Sequence, residues 1–131
     1  MGLRARVLAG VLVVVGMAGG ATGCKSGGTT SPTPPPNPAT TITITSSGVS
    51  PRSLTVSRGS QVTFVNNDSR PHQMNSDPHP THGECPELDQ VGDLSPGQSK
   101  SSGNLTTART CGYHDHLFNT NTSLQGTITI Q

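Results

Sequence analysis

Gly48-Val-Ser-Pro-Arg-Ser-Leu-Thr-Val-Ser-Arg-Gly-Ser-Gln-Val-Thr-Phe-Val-Asn-Asn-Asp68 decides the fold. Ser53 to Val56 puts Leu54 and Val56 on one side of an extended chain, Arg58-Gly59 marks a turn, and Gln61 to Asn66 puts Val62 and Phe64 on one side. Alternation of apolar and polar residues at period two is the signature of a half-buried strand. Asn66-Asn67-Asp68-Ser69 reads as the turn that follows, because short polar side chains hydrogen-bond to nearby backbone. Moving outward, Thr41-Ile-Thr-Ile-Thr45 and Thr127-Ile-Thr-Ile130 repeat the alternation at the two ends of the region. Pro96-Gly97 is a second turn signal before a polar run through Ser101, and Leu105 to Thr110 reads as a weaker strand. No window carries a helical apolar stripe. These patterns predict an all-β domain of about five to eight short strands, arranged as a sandwich.

The first residues differ in kind. Arg4 and Arg6 precede an apolar run from Val7 to Met17 that is too short to span a bilayer comfortably, as in an export signal over residues 1–23. Ala21-Thr22-Gly23-Cys24 resembles a bacterial lipobox, which implies cleavage before Cys24 and lipidation of that cysteine. From there to residue 40 the chain is Gly-, Ser-, Thr- and Pro-rich, with Pro34-Pro35-Pro36. It buries too little to fold and is expected to act as a tether, stiffer through the prolines. Residues 41–131 remain as one small domain with a modest core.

Of the eight basic and seven acidic residues, Arg4, Arg6 and Lys25 lie ahead of the domain, so the domain has a small excess of negative charge. That excludes the basic stripe of a nucleic-acid surface. With two Phe, one Tyr and no Trp in the chain, a disulfide or a metal would help to hold a core this small.

The chemistry concentrates in Cys111-Gly-Tyr-His-Asp-His116, with His72 far upstream. Thiolate and imidazole bind soft and borderline metals, and a His₂Cys set is the donor set of blue copper. The order of strand, Asn-Asn-Asp, His72, long loop, Cys111 with its histidines and a last strand resembles the cupredoxin family over the whole domain. The resemblance implies a Greek-key β-sandwich with copper at one end, held by His72, Cys111 and either His114 or His116. His114 fits the short ligand loops of that family, and His116 fits the longer C-G-x-x-x-H pattern of phytocyanins. The usual axial methionine is absent from Leu117 to Leu124; Met74 is the alternative on offer, beside a carbonyl, Asn119 or a further histidine.

Cys85 complicates the thiolate. It lies where phytocyanins carry a structural cysteine, but Leu117 stands where their partner cysteine would be. With Cys24 assigned to lipid, Cys85 and Cys111 are left in an oxidising compartment, either joined as a disulfide or with Cys111 free for a metal. All five histidines, His72, His79, His82, His114 and His116, fall in the two segments that the resemblance brings to one end. Four imidazoles without sulfur would still suit Cu(II) or Zn. His79 and His82, within Asp77-Pro-His-Pro-Thr-His82, are additional candidate ligands, and Asp115 is a candidate acceptor that orients an imidazole.

The expectation is a copper-binding protein cycling between Cu(I) and Cu(II) or handling copper, lipid-anchored in the cell envelope and facing the periplasm or the exterior. Its partners would be the membrane and a redox protein. The alternative is a disulfide-stapled binding or structural module with little or no copper. No nucleophile, base and orienter set marks an enzyme.

Overall fold

Alternation in Thr41-Ile-Thr-Ile-Thr45 becomes a strand whose Ile42 and Ile44 are fully buried while the threonines are half-exposed. The computed structural model describes residues 38–131. The signal segment, Cys24 and the tether up to residue 37 lie outside the described residues. Nine strands occur among them: β1 Thr41–Thr45, β2 Gly48–Ser50, β3 Ser53–Val56, β4 Thr63–Asn66, β5 His72–Ser76, β6 Gly92–Leu94, β7 Ser99–Ser101, β8 Arg109–Asp115 and β9 Gly126–Ile130. Leu88–Gln90 is a short 3₁₀ turn between β5 and β6.

Two sheets form the sandwich, one in the order β2-β1-β4-β7 and the other in the order β3-β9-β8-β5-β6. The pairs β1–β4 and β3–β9 are parallel and the remaining pairs are antiparallel. Parallel neighbours so far apart in sequence cannot be hairpins, so they impose the crossed connections of a Greek key. The inner faces of the two sheets supply the core, including Ile42, Ile44 and Phe64 from one and Met74, Tyr113, Ile128 and Ile130 from the other. Phe64 meets Tyr113 edge-on across the sandwich, with ring centroids 5.3 Å apart. Burial raises the Tyr113 phenol well above its ordinary value, with Arg52 opposing the effect.

Asn66 shows why the Asn-Asn-Asp stretch turns. Its Oδ1 accepts the Asp68 amide at 2.9 Å, while its Nδ2 donates to the carbonyls of Arg70 and Leu94 at 2.8 and 3.0 Å. The side chain therefore replaces a strand partner and delivers His72 into β5.

The strand expected from Leu105 to Thr110 lies elsewhere. Leu105 makes an isolated bridge with Ser60, and the strand proper begins at Arg109 and runs through His114 to Asp115. Its inward face carries Cys111, Tyr113 and Asp115, so a polar residue hides the end of the alternation.

Candidate metal centre

Strand β8 decides which groups can meet. Successive side chains of a strand point to opposite faces, so Cys111, Tyr113 and Asp115 share the inner face while His114, and His116 just beyond the strand, share the outer one. Strand β5 runs antiparallel beside it, with Met74 opposite Asp115, Asn75 opposite His114 and Ser76 opposite Tyr113. His72, Met74 and Ser76 are buried with the inner face, and Gln73 and Asn75 lie on the outer one.

Past Ser76 the chain leaves the ladder, and the segment from Asp77 to Val91 lies alongside the first half of β8. The Asp77 amide donates to the Gly112 carbonyl at 3.1 Å, and the Glu84 carboxylate accepts the Gly112 amide at 2.8 Å. Cys85 and Cys111 are joined by a disulfide, their Cα atoms 5.9 Å apart, a normal separation for such a bridge. Arg109 adds an ion pair to Glu87 at 2.5 Å.

This segment brings His79 and His82 to His114 and His116. One nitrogen from each of the four imidazoles lies within 4.8 Å of all the others. Bonds of about 2.0–2.1 Å to a metal put tetrahedral nitrogens about 3.4 Å apart, so the widest separations in the set have to contract by up to about 1.4 Å. His116 Nδ1 and His82 Nε2 are already 3.0 Å apart. His114 is the fixed member: it is buried, its Nδ1 is 2.6 Å from Asp77 Oδ1, and its Nε2 has no hydrogen-bond partner among the described residues. A carboxylate on one imidazole nitrogen with the other left for a metal is the recurrent arrangement of metal-bound histidine. Gly112 makes room for it, since a Cβ there would run into the Asp77 carboxylate. Burial, followed by the charge of neighbouring His116, lowers the His82 pKa below 6.5; Asp89 opposes this, and His114 and His79 add to it. A neutral imidazole is the form that binds a metal.

Two of the expected ligands are not in this set. Cys111 is held in the disulfide and faces away from the histidines that follow it, so the His₂Cys arrangement is not formed. His72 is fully buried on the inner face, with Nδ1 2.5 Å from Asp115 Oδ2 and Nε2 3.3 Å from Asp68 Oδ2. Both ring nitrogens thus face carboxylates and neither is turned toward the other imidazoles. Met74 is buried on that same inner face, away from the cluster. Asp115 does orient an imidazole, but that of His72; its other oxygen accepts the amides of Gln73 and Leu117 at 3.2 and 3.0 Å. Burial opposes ionisation of Asp68, yet hydrogen bonds from Arg70, the Ser69 amide and His72 outweigh it and hold the carboxyl below its ordinary value. Arg70 also lies over the Phe118 ring, 5.0 Å from its centroid.

Sequence reasoning missed Asp77 as the partner of His114. The signal was local: Asp77 opens the segment that carries His79 and His82.

Two packed sheets, antiparallel apart from the β1–β4 and β3–β9 pairs, define the class as a Greek-key β-sandwich. Among solved structures, the chain is similar to the oxidized plastocyanin of Dryopteris crassirhizoma, with 22% identity, a TM-score of 0.54, and coverage of 70% of this chain and 99% of that one. A purple cupredoxin from Nitrosopumilus maritimus is similar at 20% identity and a TM-score of 0.51, covering 70% and 98%. An oxidized amicyanin mutant is similar at 21% identity and a TM-score of 0.55, covering 72% and 84%. The fold is cupredoxin-like. No protein-family model matches the chain, and no curated protein sequence matches it.

Proposed function

We propose that the domain binds copper, as the cupredoxin-like fold suggests, through the imidazoles of His79, His82, His114 and His116 and without a thiolate. The observation that carries this reading is the buried Nε2 of His114, without a partner among the described residues, fixed from behind by Asp77 and faced by three further imidazoles. An ion held there would supply a positive charge and, with copper, a one-electron couple. Four imidazoles suit Cu(II) or Zn. The protein is then a copper-handling or electron-transfer protein, lipid-anchored through Cys24 in the cell envelope, facing the periplasm or the exterior.

Titration of the purified protein with Cu(II) tests the reading. One equivalent should bind at sub-micromolar Kd, with nitrogen hyperfine structure in electron paramagnetic resonance and without the intense visible band of a copper thiolate. His114→Ala should lose this binding. A strong thiolate band would sink the four-histidine assignment. The disulfide supports a second reading, a stapled β-sandwich that serves as a binding or structural module. Failure to bind copper at sub-micromolar levels would favour it.

A further inference from the structure

Beside His114 Nε2, a second buried atom on the same outer face has no partner among the described residues: Asn75 Oδ1. Asn75 stands directly across the ladder from His114, the position at which cross-strand side chains come closest. Its Nδ2 is turned to Asp89 Oδ1 at 3.4 Å, which assigns the amide orientation and leaves Oδ1 as the atom without a donor. Asp89 is itself anchored, accepting the Ser76 amide at 2.7 Å and the Ser76 hydroxyl at 3.3 Å. A buried carbonyl oxygen without a donor is rare in folded proteins and needs an explanation. Two such atoms on facing residues point to one ligand between them.

We propose that Asn75, through Oδ1, is an oxygen donor of the four-histidine centre, which makes the centre a holder of divalent cations in preference to Cu(I). The proposal rests on the four-histidine reading above. Soft sulfur ligands select Cu(I), whereas imidazole and carbonyl oxygen suit divalent ions. Among the described residues every sulfur is withheld from the outer face: Cys85 and Cys111 are bonded to each other, and Met74 is buried on the inner face. Asn75 would thus bias the protein toward keeping Cu(II) or Zn(II) rather than cycling copper.

The test compares Zn(II), Cu(II) and Cu(I) affinities of the wild type, Asn75→Asp, Asn75→Leu and His114→Ala, with Cu(I) measured against a competing Cu(I) chelator. Asn75→Asp puts a carboxylate where the amide oxygen stands. It should tighten Zn(II) binding by about tenfold or more while leaving Cu(I) within about threefold. Asn75→Leu should weaken Zn(II) by about tenfold. If Asn75→Asp keeps the wild-type circular dichroism yet binds Zn(II) no more tightly, the proposal is overturned. The new carboxylate faces Asp89 and could prevent folding; unchanged Zn(II) affinity in Asn75→Leu then overturns it equally. A wild type that binds Cu(I) more tightly than Cu(II) overturns the preference. Absence of binding in the wild type, or full binding in His114→Ala, overturns the four-histidine reading and this proposal with it. Loss in His114→Ala with no change in either Asn75 variant overturns this proposal alone.

Discussion

Reducing the Cys85–Cys111 disulfide should destabilise the metal-free domain more than any surface change. The bridge joins residues 26 apart in sequence. Chain-entropy bookkeeping for a loop of that length gives about 3.5 kcal/mol at 25 °C. For a domain of this size each kcal/mol lowers Tm by about 4–8 °C, so the expected fall is about 14–28 °C. The core is small and contains both half-cystines, each fully buried, so little else compensates. The assay is thermal unfolding followed by circular dichroism, with and without reductant, the thiol state being confirmed by alkylation and intact mass. The bridge also pins the segment carrying His79 and His82 to the strand carrying His114. A Cys85→Ala/Cys111→Ala variant that still folds should therefore bind Zn(II) at least about tenfold more weakly, because the loop must be ordered when the metal binds. A fully reduced protein whose Tm falls by less than about 5 °C would refute the claim that this bridge holds the segment in place.

Asp77→Ala removes the carboxylate behind His114 and should cost about 10–100-fold in Zn(II) or Cu(II) affinity, read by competition titration, with little change in fold. Gly112→Ala should give a loss of the same kind, since the added methyl displaces the Asp77 carboxylate; unchanged affinity would contradict the close approach. The pH dependence has two windows. The folded His82 pKa lies below its unfolded value of 6.5, so the unfolded chain takes up more protons. Stability of the metal-free domain is then full above 6.5 and declines as the pH falls below it, and His82→Gln should flatten this limb of a denaturation series. Asp68, held below 3.8, contributes stability above that value which is lost as the pH falls through its folded pKa; Asp68→Asn should remove this second limb.

The sandwich was legible because its inner faces carry apolar residues at period two: Ile42 and Ile44, Leu54 and Val56, Val62 and Phe64, and Ile128 and Ile130 all sit where alternation puts them. β5 and β8 were not legible as strands. Their inward positions include His72, Ser76 and Asp115, whose burial depends on hydrogen bonds to partners far away in sequence, such as the 2.5 Å contact between His72 and Asp115. Periodicity registers hydrophobicity, and a buried hydrogen-bonded polar pair looks like a polar loop. The same blindness misplaced the site. Reading 111–116 as a loop allowed Cys111 and the histidines to converge, whereas a strand sends Cys111 inward and His114 and His116 outward. The clustering of histidines was legible from composition, and four of the five do meet.

The alternation along β8 also explains why this end of the sandwich holds two separate polar constellations. On the inner face, His72, Asp68 and Asp115 form a closed network with Arg70, in which each imidazole nitrogen meets a carboxylate. Closure matters there: removing one member of a buried polar network leaves an unpaired group, which is costly to bury. On the outer face, His114 has one nitrogen satisfied and one not, and its neighbours His79, His82 and His116 are imidazoles that repel each other when charged. That arrangement is unfavourable for a structural network and favourable for a cation, which satisfies all four lone pairs at once. The difference between the two faces is therefore one of completeness. The inner cluster is finished within the described residues and ties β5 to β8, while the outer cluster leaves His114 Nε2 without a partner among the described residues, the opening that the proposed metal would fill.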